Sequence, residues 1–290
     1  MCGFLVVGSS ELELQVFNDA LNQAAYRGPD HQHVSINNGI TWGFNRLSIM
    51  DLSSKGNQPF VYKDCVLVCN GEVYNYHSLK AMLETDYTFK SGSDCEVLIP
   101  LYHKYGIEIL CKFLDAEFAM VIYDAKKDKI LAARDPMGIR PMFYGYHKED
   151  GKICFASEAK GLFPLCQEIM PFPPGHYYED GKFICYNDLS NPKTINNDDL
   201  ETIAINLRLK LEKAVEKRLQ SDAPIGYLLS GGLDSSLVCA IAARLNDQPI
   251  KTFAIGMDTD PIDLKYAKQV ADYLGTDHTE VIMTKEDLLE

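Results

Sequence analysis

The chain has no two cysteines at CxxC spacing, and its nine cysteines are scattered and odd in number. Neither a disulfide framework nor a zinc site is indicated, which points to a reduced, cytosolic chain. No apolar run approaches the ~20 residues of a membrane span. The start has no basic segment ahead of an apolar one, so no secretory signal is indicated. Positive charge is short: 28 Lys and Arg stand against 41 Asp and Glu, a net charge of −13. That argues against a nucleic acid or an anionic membrane as the main partner. Internal repeats and low-complexity tracts are absent too. What is there is 290 residues, 46% hydrophobic and 24% charged, an ordinary composition for a soluble protein of about two domains.

The first four residues, Met1-Cys2-Gly3-Phe4, carry a chemical possibility. If Met1 is removed, Cys2 holds a thiol and a free α-amine on one residue. A thiol is a strong nucleophile only as thiolate, with an ordinary pKa of about 8.5. A terminal amine titrates near ~7.7–8.0 and can take the thiol proton at neutral pH. The apolar run Phe4-Leu5-Val6-Val7-Gly8, ended by Gly8-Ser9-Ser10, reads as a buried strand that would hold this end rigid. Taken alone, Cys2 reads more readily as a small apolar residue after the start codon, and the rest of the chain must overturn that. Six others (Cys65, Cys69, Cys111, Cys154, Cys185, Cys239) lie in apolar stretches and read as small hydrophobes.

Periodicity divides the chain in two. A helical rhythm over 11–26 places Leu14, Phe17, Leu21, Ala24 and Ala25 on one face. Short strands follow at 33–36, 40–44, 46–50, 60–62 and 65–69, broken by Asn-Gly, Lys-Gly-Asn and Lys-Asp turns. Asn70-Gly71-Glu72 reads as a turn into a helix at 77–84, and 94–104 reads as a longer helix. Strands are expected again at 118–124, 129–134, 142–147 and 153–157. The pattern predicts an α+β domain of two antiparallel sheets with helices on them. The proline-rich stretch 170–178 reads as a crossing segment. Polar residues 187–199 read as a linker between a first domain, 2–186, and a second, 200–290. There the texture changes. A helix over 200–219, with Ile203, Leu207, Leu211 and Val215 as its seam, precedes strands at 225–229, 250–255 and 279–283 that alternate with helices. That alternation predicts a parallel α/β sheet.

Ser230-Gly231-Gly232-Leu233-Asp234-Ser235-Ser236 is the most specific stretch. Glycines after a strand and before a helix let the backbone approach an anion, and the helix start aims free N–H groups at it. The serine hydroxyls add donors, and Asp234 can hold a magnesium ion between phosphates. No Gly-Lys-Ser/Thr follows, so this is not a Walker loop. An ordinary glycine-serine turn is the plain alternative. SGGxDS after a strand resembles the pyrophosphate loop of the ATP pyrophosphatase superfamily, which splits ATP to AMP and pyrophosphate while activating a carboxyl group.

The front half carries a second resemblance. Cys2-Gly3-Phe4, Arg27-Gly28-Pro29-Asp30, Arg46-Leu47-Ser48-Ile49, Asn70-Gly71-Glu72-Val73-Tyr74-Asn75 and Ser91-Gly92-Ser93-Asp94 occur in that order. With Arg134-Asp135-Pro136-Met137-Gly138-Ile139-Arg140-Pro141 and Phe155-Ala156-Ser157-Glu158, they resemble the class II, N-terminal nucleophile (Ntn) glutamine amidotransferases. Joined to SGGLDSS, the order is similar to the glutamine-hydrolysing asparagine synthetases over the whole chain. The resemblance implies an Ntn domain followed by an incomplete ATP-pyrophosphatase-type domain. It implies glutamine, aspartate and ATP as substrates and Mg2+ as cofactor, and leaves a homodimer open.

By that resemblance Cys2 attacks the glutamine amide, while the Asn70 amide and Gly71 N–H hold the oxyanion. Arg46 takes the carboxylate, ideally as a two-pronged pair, with main chain of Leu47, Ser48, Ile49 and Met50 lining the pocket. Asp94 and the Glu72 region take the ammonium, and Arg27 positions Cys2. In the second half Ser230, Gly231, Gly232, Asp234 and Ser235 would hold phosphates, and Leu228 and Ile255 would wall the adenine. Each has a plain alternative: solvated charge for Arg46 and Asp94, a helix N-cap for Asp94, core packing for Leu228 and Ile255. Tyr26 departs from the family, which often has His there. The family's second domain also runs on well past residue 290, so the sequence reads as a truncated form expected to hydrolyse glutamine but not to make asparagine. A β-lactam-synthetase-like enzyme and a non-synthetic, ammonia-supplying or regulatory subunit are the other readings.

Overall fold

A computed structural model describes residues 1–9, 11–192, 194–259 and 261–287. Ser10 of the first expected turn, Lys193 of the expected linker and the last three positions lie outside the described residues. The chain separates into two compact units, Met1–Ile195 and Asn196–Glu290.

In the first unit the order begins β1 (Gly3–Val7), α1 (Leu14–Asn22), β2 (His31–Asn37), β3 (Ile40–Arg46), β4 (Phe60–Tyr62), β5 (Cys65–Val73), α2 (Tyr76–Leu83) and α3 (Leu98–Phe113). It continues with β6 (Ala116–Asp124), β7 (Lys129–Arg134), β8 (Phe143–His147), β9 (Ile153–Ala156), β10 (Cys166–Pro171), β11 (His176–Glu179) and β12 (Lys182–Cys185). Two six-stranded sheets result, ordered β10-β8-β9-β1-β3-β2 and β12-β11-β7-β6-β5-β4.

The two-residue period of a strand explains the layers. Phe4 and Val6 of β1 point between the sheets, where they meet Trp42, Val66, Val68, Ala119, Val121 and Phe155. Leu5 and Val7 point the other way, onto Phe17 and Leu21 of α1. The outer face of the second sheet packs Leu67, Met120 and Ile122 against Leu79, Leu83, Leu98 and Leu101 of α2 and α3. The unit is therefore helix, sheet, sheet, helix, with β1 buried on both faces.

Several expectations are corrected. Asn70-Gly71-Glu72 is no turn: β5 runs through it, paired with β6 from Cys65↔Asp124 to Val73↔Ala116. A nine-residue ladder outweighs the local turn preference of Asn-Gly. Residues 47–50 form no strand but leave β3 as a loop. The crossing segment at 170–178 contains the end of β10 and most of β11, and β12 was not anticipated. Pro171 ends β10, an edge strand where the missing N–H costs nothing. The helix at 94–104 is a 3-10 turn, Asp94–Val97, leading into α3, which kinks at Gly106. Leu14 is 48% exposed, off the face assigned to it. Cys185 is exposed rather than packed; the other five assigned to apolar stretches are buried.

The second unit holds α4 (Leu200–Lys217), β13 (Gly226–Leu228), α5 (Leu233–Leu245), β14 (Lys251–Met257), α6 (Ile262–Leu274) and β15 (Asp277–Met283). The strands form a parallel sheet ordered β13-β14-β15. Of the expected seam on α4 only Val215 is buried, while Leu207 is 63% exposed. Among the described residues no helix is long and apolar enough to cross a membrane.

Candidate active sites

Cys2 is fixed from three directions. β1 pairs with β3 and β9, tying the following residues on both sides. The Arg27 Nε donates to the Cys2 carbonyl at 2.9 Å and Arg27 Nη1 meets Glu158 at 3.0 Å. Ser157 extends the clamp, its Oγ accepting from the Phe4 N–H and its N–H donating to the Phe4 carbonyl, both at 3.0 Å. Tyr26 adds a hydroxyl hydrogen bond to Glu158. The motifs around residues 27 and 157 thus serve as the mount for Cys2. Gly28 lets this corner close, because a Cβ there would lie 2.2 Å from the Asn45 carbonyl oxygen.

The Cys2 Sγ accepts from the Leu47 N–H at 3.4 Å and lies 3.5 Å from the Leu47 carbonyl. Burial pushes the thiol pKa up, and the Leu47 N–H pulls against it. Burial also lowers the pKa of the neighbouring chain-terminal amine. The thiol is therefore a protonated group beside an amine whose free-base form is favoured.

One narrow pocket is lined by Cys2, Arg46, Leu47, Ile49, Met50, Gly71, Glu72 and Asp94, along with Gln58 and Cys69. Ser48 does not line it; its N–H donates to Asp30 at 2.7 Å. Asn70 is buried in β5, and its Nδ2 finds no partner among the described residues. An unsatisfied buried amide donor is costly.

Asp94 is not a helix cap. Ser93 holds that position without a side-chain bond, and Asp94 Oδ2 instead accepts from the Val73 N–H at 2.6 Å, joining the 3-10 turn to β5. Burial raises its carboxyl to about 6 despite that bond. Burial, and then the negative charge of Asp94, push Glu72 up to about 8, while Arg140 pulls it down. Two crowded carboxyls that resist ionising together call for a cation between them.

Arg46 departs from the two-pronged pair expected of it. Its Nη1 donates to the Ser53 carbonyl at 2.6 Å and to Asn57 at 2.7 Å, and its Nη2 to the Met50 carbonyl at 3.3 Å and the Asp51 carbonyl. A guanidinium that is 5% exposed needs partners for its donors, and the loop after β3 curls round to supply carbonyls. Both terminal nitrogens are committed to the loop. Gln58 was missed by sequence reading. It brackets Cys69 of β5, donating to its carbonyl at 3.1 Å and accepting from its N–H at 2.6 Å. Asp51 and Glu96 were missed too: Asp51 accepts from the Gly92 N–H at 2.8 Å, and Glu96 from the Lys90 and Ser91 N–H groups at 2.9 and 2.8 Å. Only the acidic residue two beyond Asp94 offered a hint.

In the second unit Leu228, Ser230, Ser235 and Ile255 line an open pocket at the carboxyl ends of β13 and β14, with Phe253 and Asp263. Leu228 and Ile255 are 82% and 59% exposed, which removes the core-packing alternative. The Ser230 and Ser235 hydroxyls are 3.0 Å apart. Gly231 adopts φ 76° and lies against Tyr266, where a Cβ would come within 2.5 Å of the backbone. Gly232 caps α5, and Asp234 stands exposed in its first turn. No cluster of three or more metal-ligating side chains occurs among the described residues. The exposed Asp234 carboxylate is a hard-oxygen donor of the kind that would hold a divalent cation.

The first unit is an Ntn-type sandwich with a cysteine at the head of its first strand. Residues 1–175 match the family described as glutamine amidotransferase domain, and the chain belongs to it. Residues 206–290 match the family described as asparagine synthase. The chain is 38% identical over 320 residues to a probable glutamine-hydrolysing asparagine synthetase of Schizosaccharomyces pombe, covering 100% of this chain and 56% of that protein. It is 39% identical over 284 residues to asparagine synthetase B of Escherichia coli, covering 91% and 50%. The chain thus spans about half the length of the curated relatives it matches. Among solved structures, the glutamine phosphoribosylpyrophosphate amidotransferase of B. subtilis shares the fold, with TM-score 0.53 at 17% identity over 97% of this chain and 65% of that one.

Proposed function

We propose that the chain hydrolyses glutamine at Cys2 and belongs to a glutamine-dependent asparagine synthetase. The observation that carries this is the single pocket joining Cys2 to Gly71, Glu72 and Asp94. In this reading the free amine, Cys2's own once Met1 is removed, takes the thiol proton, and the thiolate attacks the side-chain amide carbon. The unpartnered Asn70 Nδ2 and the Gly71 N–H receive the oxyanion. Ammonia leaves with a proton from the amine, and water releases glutamate from the thioester. Glu72 and Asp94 take the substrate's α-ammonium, which supplies the positive charge that pair lacks. Since both Arg46 terminal nitrogens hold the loop, Arg46 shapes the carboxylate end chiefly through the main chain of residues 47–50.

The second unit supports use of the ammonia on an ATP-activated carboxyl group, aspartate by the likeness of the relatives. Ser230, Gly231, Gly232, Ser235 and the start of α5 would face phosphates, Leu228 and Ile255 the base. Asp234 would hold Mg2+, whose charge would offset that of the phosphates. A cytosolic setting suits the unpaired cysteines. Intact mass should show loss of Met1, and Cys2→Ala should abolish glutamate release; substantial release from Cys2→Ala overturns the assignment.

A further inference from the structure

Glu72 of β5 and Glu117 of β6 stand directly opposite each other in an antiparallel ladder. Paired residues share a face with Cβ atoms about 4.5–5.5 Å apart, so like charges there repel. Asp94 adds a third acid from the 3-10 turn. Arg140 answers them, its Nη2 3.6 Å from Glu117. Arg140 is 7% exposed, and its Nε is buried with no partner among the described residues. A guanidinium left partly unsatisfied is a poor stability device.

The turn that delivers it is tightly built. Asp135 Oδ2 and Oδ1 accept from the Arg140 and Ile139 N–H groups at 3.1 and 3.0 Å. Arg134 donates to the Arg140 and Gly138 carbonyls, each at 2.7 Å. So the motif at 134–141 fixes a backbone that sends one charged side chain inward.

We propose that Arg140, held on Glu117, is a positioning residue of the glutamine pocket: it is the counter-charge against which Glu72 faces the substrate's α-ammonium. The inference rests on the glutamine reading above. The charges facing Glu72 are Asp94 from the 3-10 turn, Glu117 from β6, Arg140 from the turn after β7, and the chain-terminal amine. Arg140 lowers the Glu72 pKa while Asp94 and Glu117 raise it, in keeping with this role. Removing Arg140 should push Glu72 further toward its neutral form, which cannot pair with an ammonium. Removing the Glu117 charge should do the opposite.

The test is the pH dependence of the glutamine KM, between pH 6 and 9, in the full chain and in Arg140→Gln, Arg140→Lys and Glu117→Gln. Arg140→Gln should displace the profile to higher pH, raising KM at neutral pH by about tenfold per unit of displacement, with kcat little changed. Glu117→Gln should displace it to lower pH, and Arg140→Lys should stay near the parent. A purely structural role would lower Tm without opposite displacements. Should Arg140→Gln fail to fold, Glu117→Gln and Arg140→Lys still decide. Profiles that do not move, or move the same way in Arg140→Gln and Glu117→Gln, overturn this inference alone. No Cys2-dependent glutamate release from the parent chain overturns the glutamine reading and this one with it.

Discussion

The two candidate sites are built on opposite plans. The proposed glutamine pocket gathers residues from the chain start ahead of β1, from β3, β5, the loops and a 3-10 turn, and its polar groups include deeply buried ones: Arg46, Gln58 and Asp94 are 5%, 6% and 4% exposed. The nucleotide loop is one contiguous run at the end of β13, and Leu228 and Leu233 are 82% and 81% exposed. In the first site a side chain proposed to bind substrate also holds the fold, because a buried charge without partners is costly. In the second, water satisfies whatever the protein does not. Substitutions should therefore mix stability with function in one site and separate them in the other.

The largest effect should come from Arg46→Ala. Four acceptors on the loop after β3 lose a charged donor, and each such bond carries about 1.5–3 kcal/mol. With partial relaxation and water entry, a loss of about 3 kcal/mol or more is expected by chemical denaturation, with a higher glutamine KM. Arg46→Lys should recover little, since one ammonium cannot span the acceptors. Unchanged stability with only a higher KM would give Arg46 a purely substrate-binding role and break the comparison.

Gly231→Ala should be next, and it marks where the second site is not free to vary. Its φ of 76° disfavours a side chain, and the added Cβ would press on the Tyr266 backbone at 2.5 Å. A loss of about 1–3 kcal/mol is expected, read as a lower Tm. Gly232→Ala, whose Cβ would meet only the Ser230 Oγ at 3.4 Å, is the control and should cost much less.

These plans also explain what could be read from the sequence. The loop at 230–236 needs only its own residues, a strand before and a helix after, so its form was legible. So were β1, whose apolar run states its burial, and the parallel strands of the second unit, which their alternation with helices announced although β13 and β15 are largely exposed. The glutamine pocket was legible only through a resemblance, because its residues meet across sheet and loop contacts that no local pattern encodes. Gln58 reads as a loop glutamine until Cys69 stands between its two amide atoms. Glu117 and Glu72 are 45 residues apart and become neighbours through strand register. Arg46 was assigned a free fork because a sequence does not show that its own loop returns to occupy it. Asn70-Gly71 misled for the same reason, a local preference overruled by a long ladder.

A smaller effect belongs to pH. Asp94 and Glu72 have carboxyls raised to about 6 and about 8, both first by burial. A carboxyl raised above its unfolded value favours the fold when protonated and opposes it once ionised. The ligand-free chain should thus lose stability as pH climbs from about 4 through these two values. Glutamine, bringing an ammonium to the pair, should offset that loss. In Cys2→Ala, which cannot consume it, the thermal shift given by glutamine should grow from pH 6 to pH 8. A shift that is flat or falls over that window would remove the pair as the ammonium site.

The smallest effect on stability should be Asp234→Asn, and here the comparison is sharpest. Asp234 is exposed and makes its only evident contribution through the start of α5, where a negative charge is worth about 0.3–1 kcal/mol. Asparagine keeps the shape and removes the charge, so a change within about 0.5 kcal/mol is expected. The role proposed for it with a metal is different in kind. A carboxylate that would hold Mg2+ is an anionic hard-oxygen ligand that a neutral amide replaces poorly. ATP with Mg2+ should raise the Tm of the parent chain, and that increment should shrink in Asp234→Asn while ATP without metal behaves alike in both. Equal increments would take Asp234 out of the proposed metal site and leave Asp263, which lines the pocket with Ser230 and Ser235, as the carboxylate to examine. A large loss of stability instead would mean that the second site, like the first, uses its charge to hold the fold.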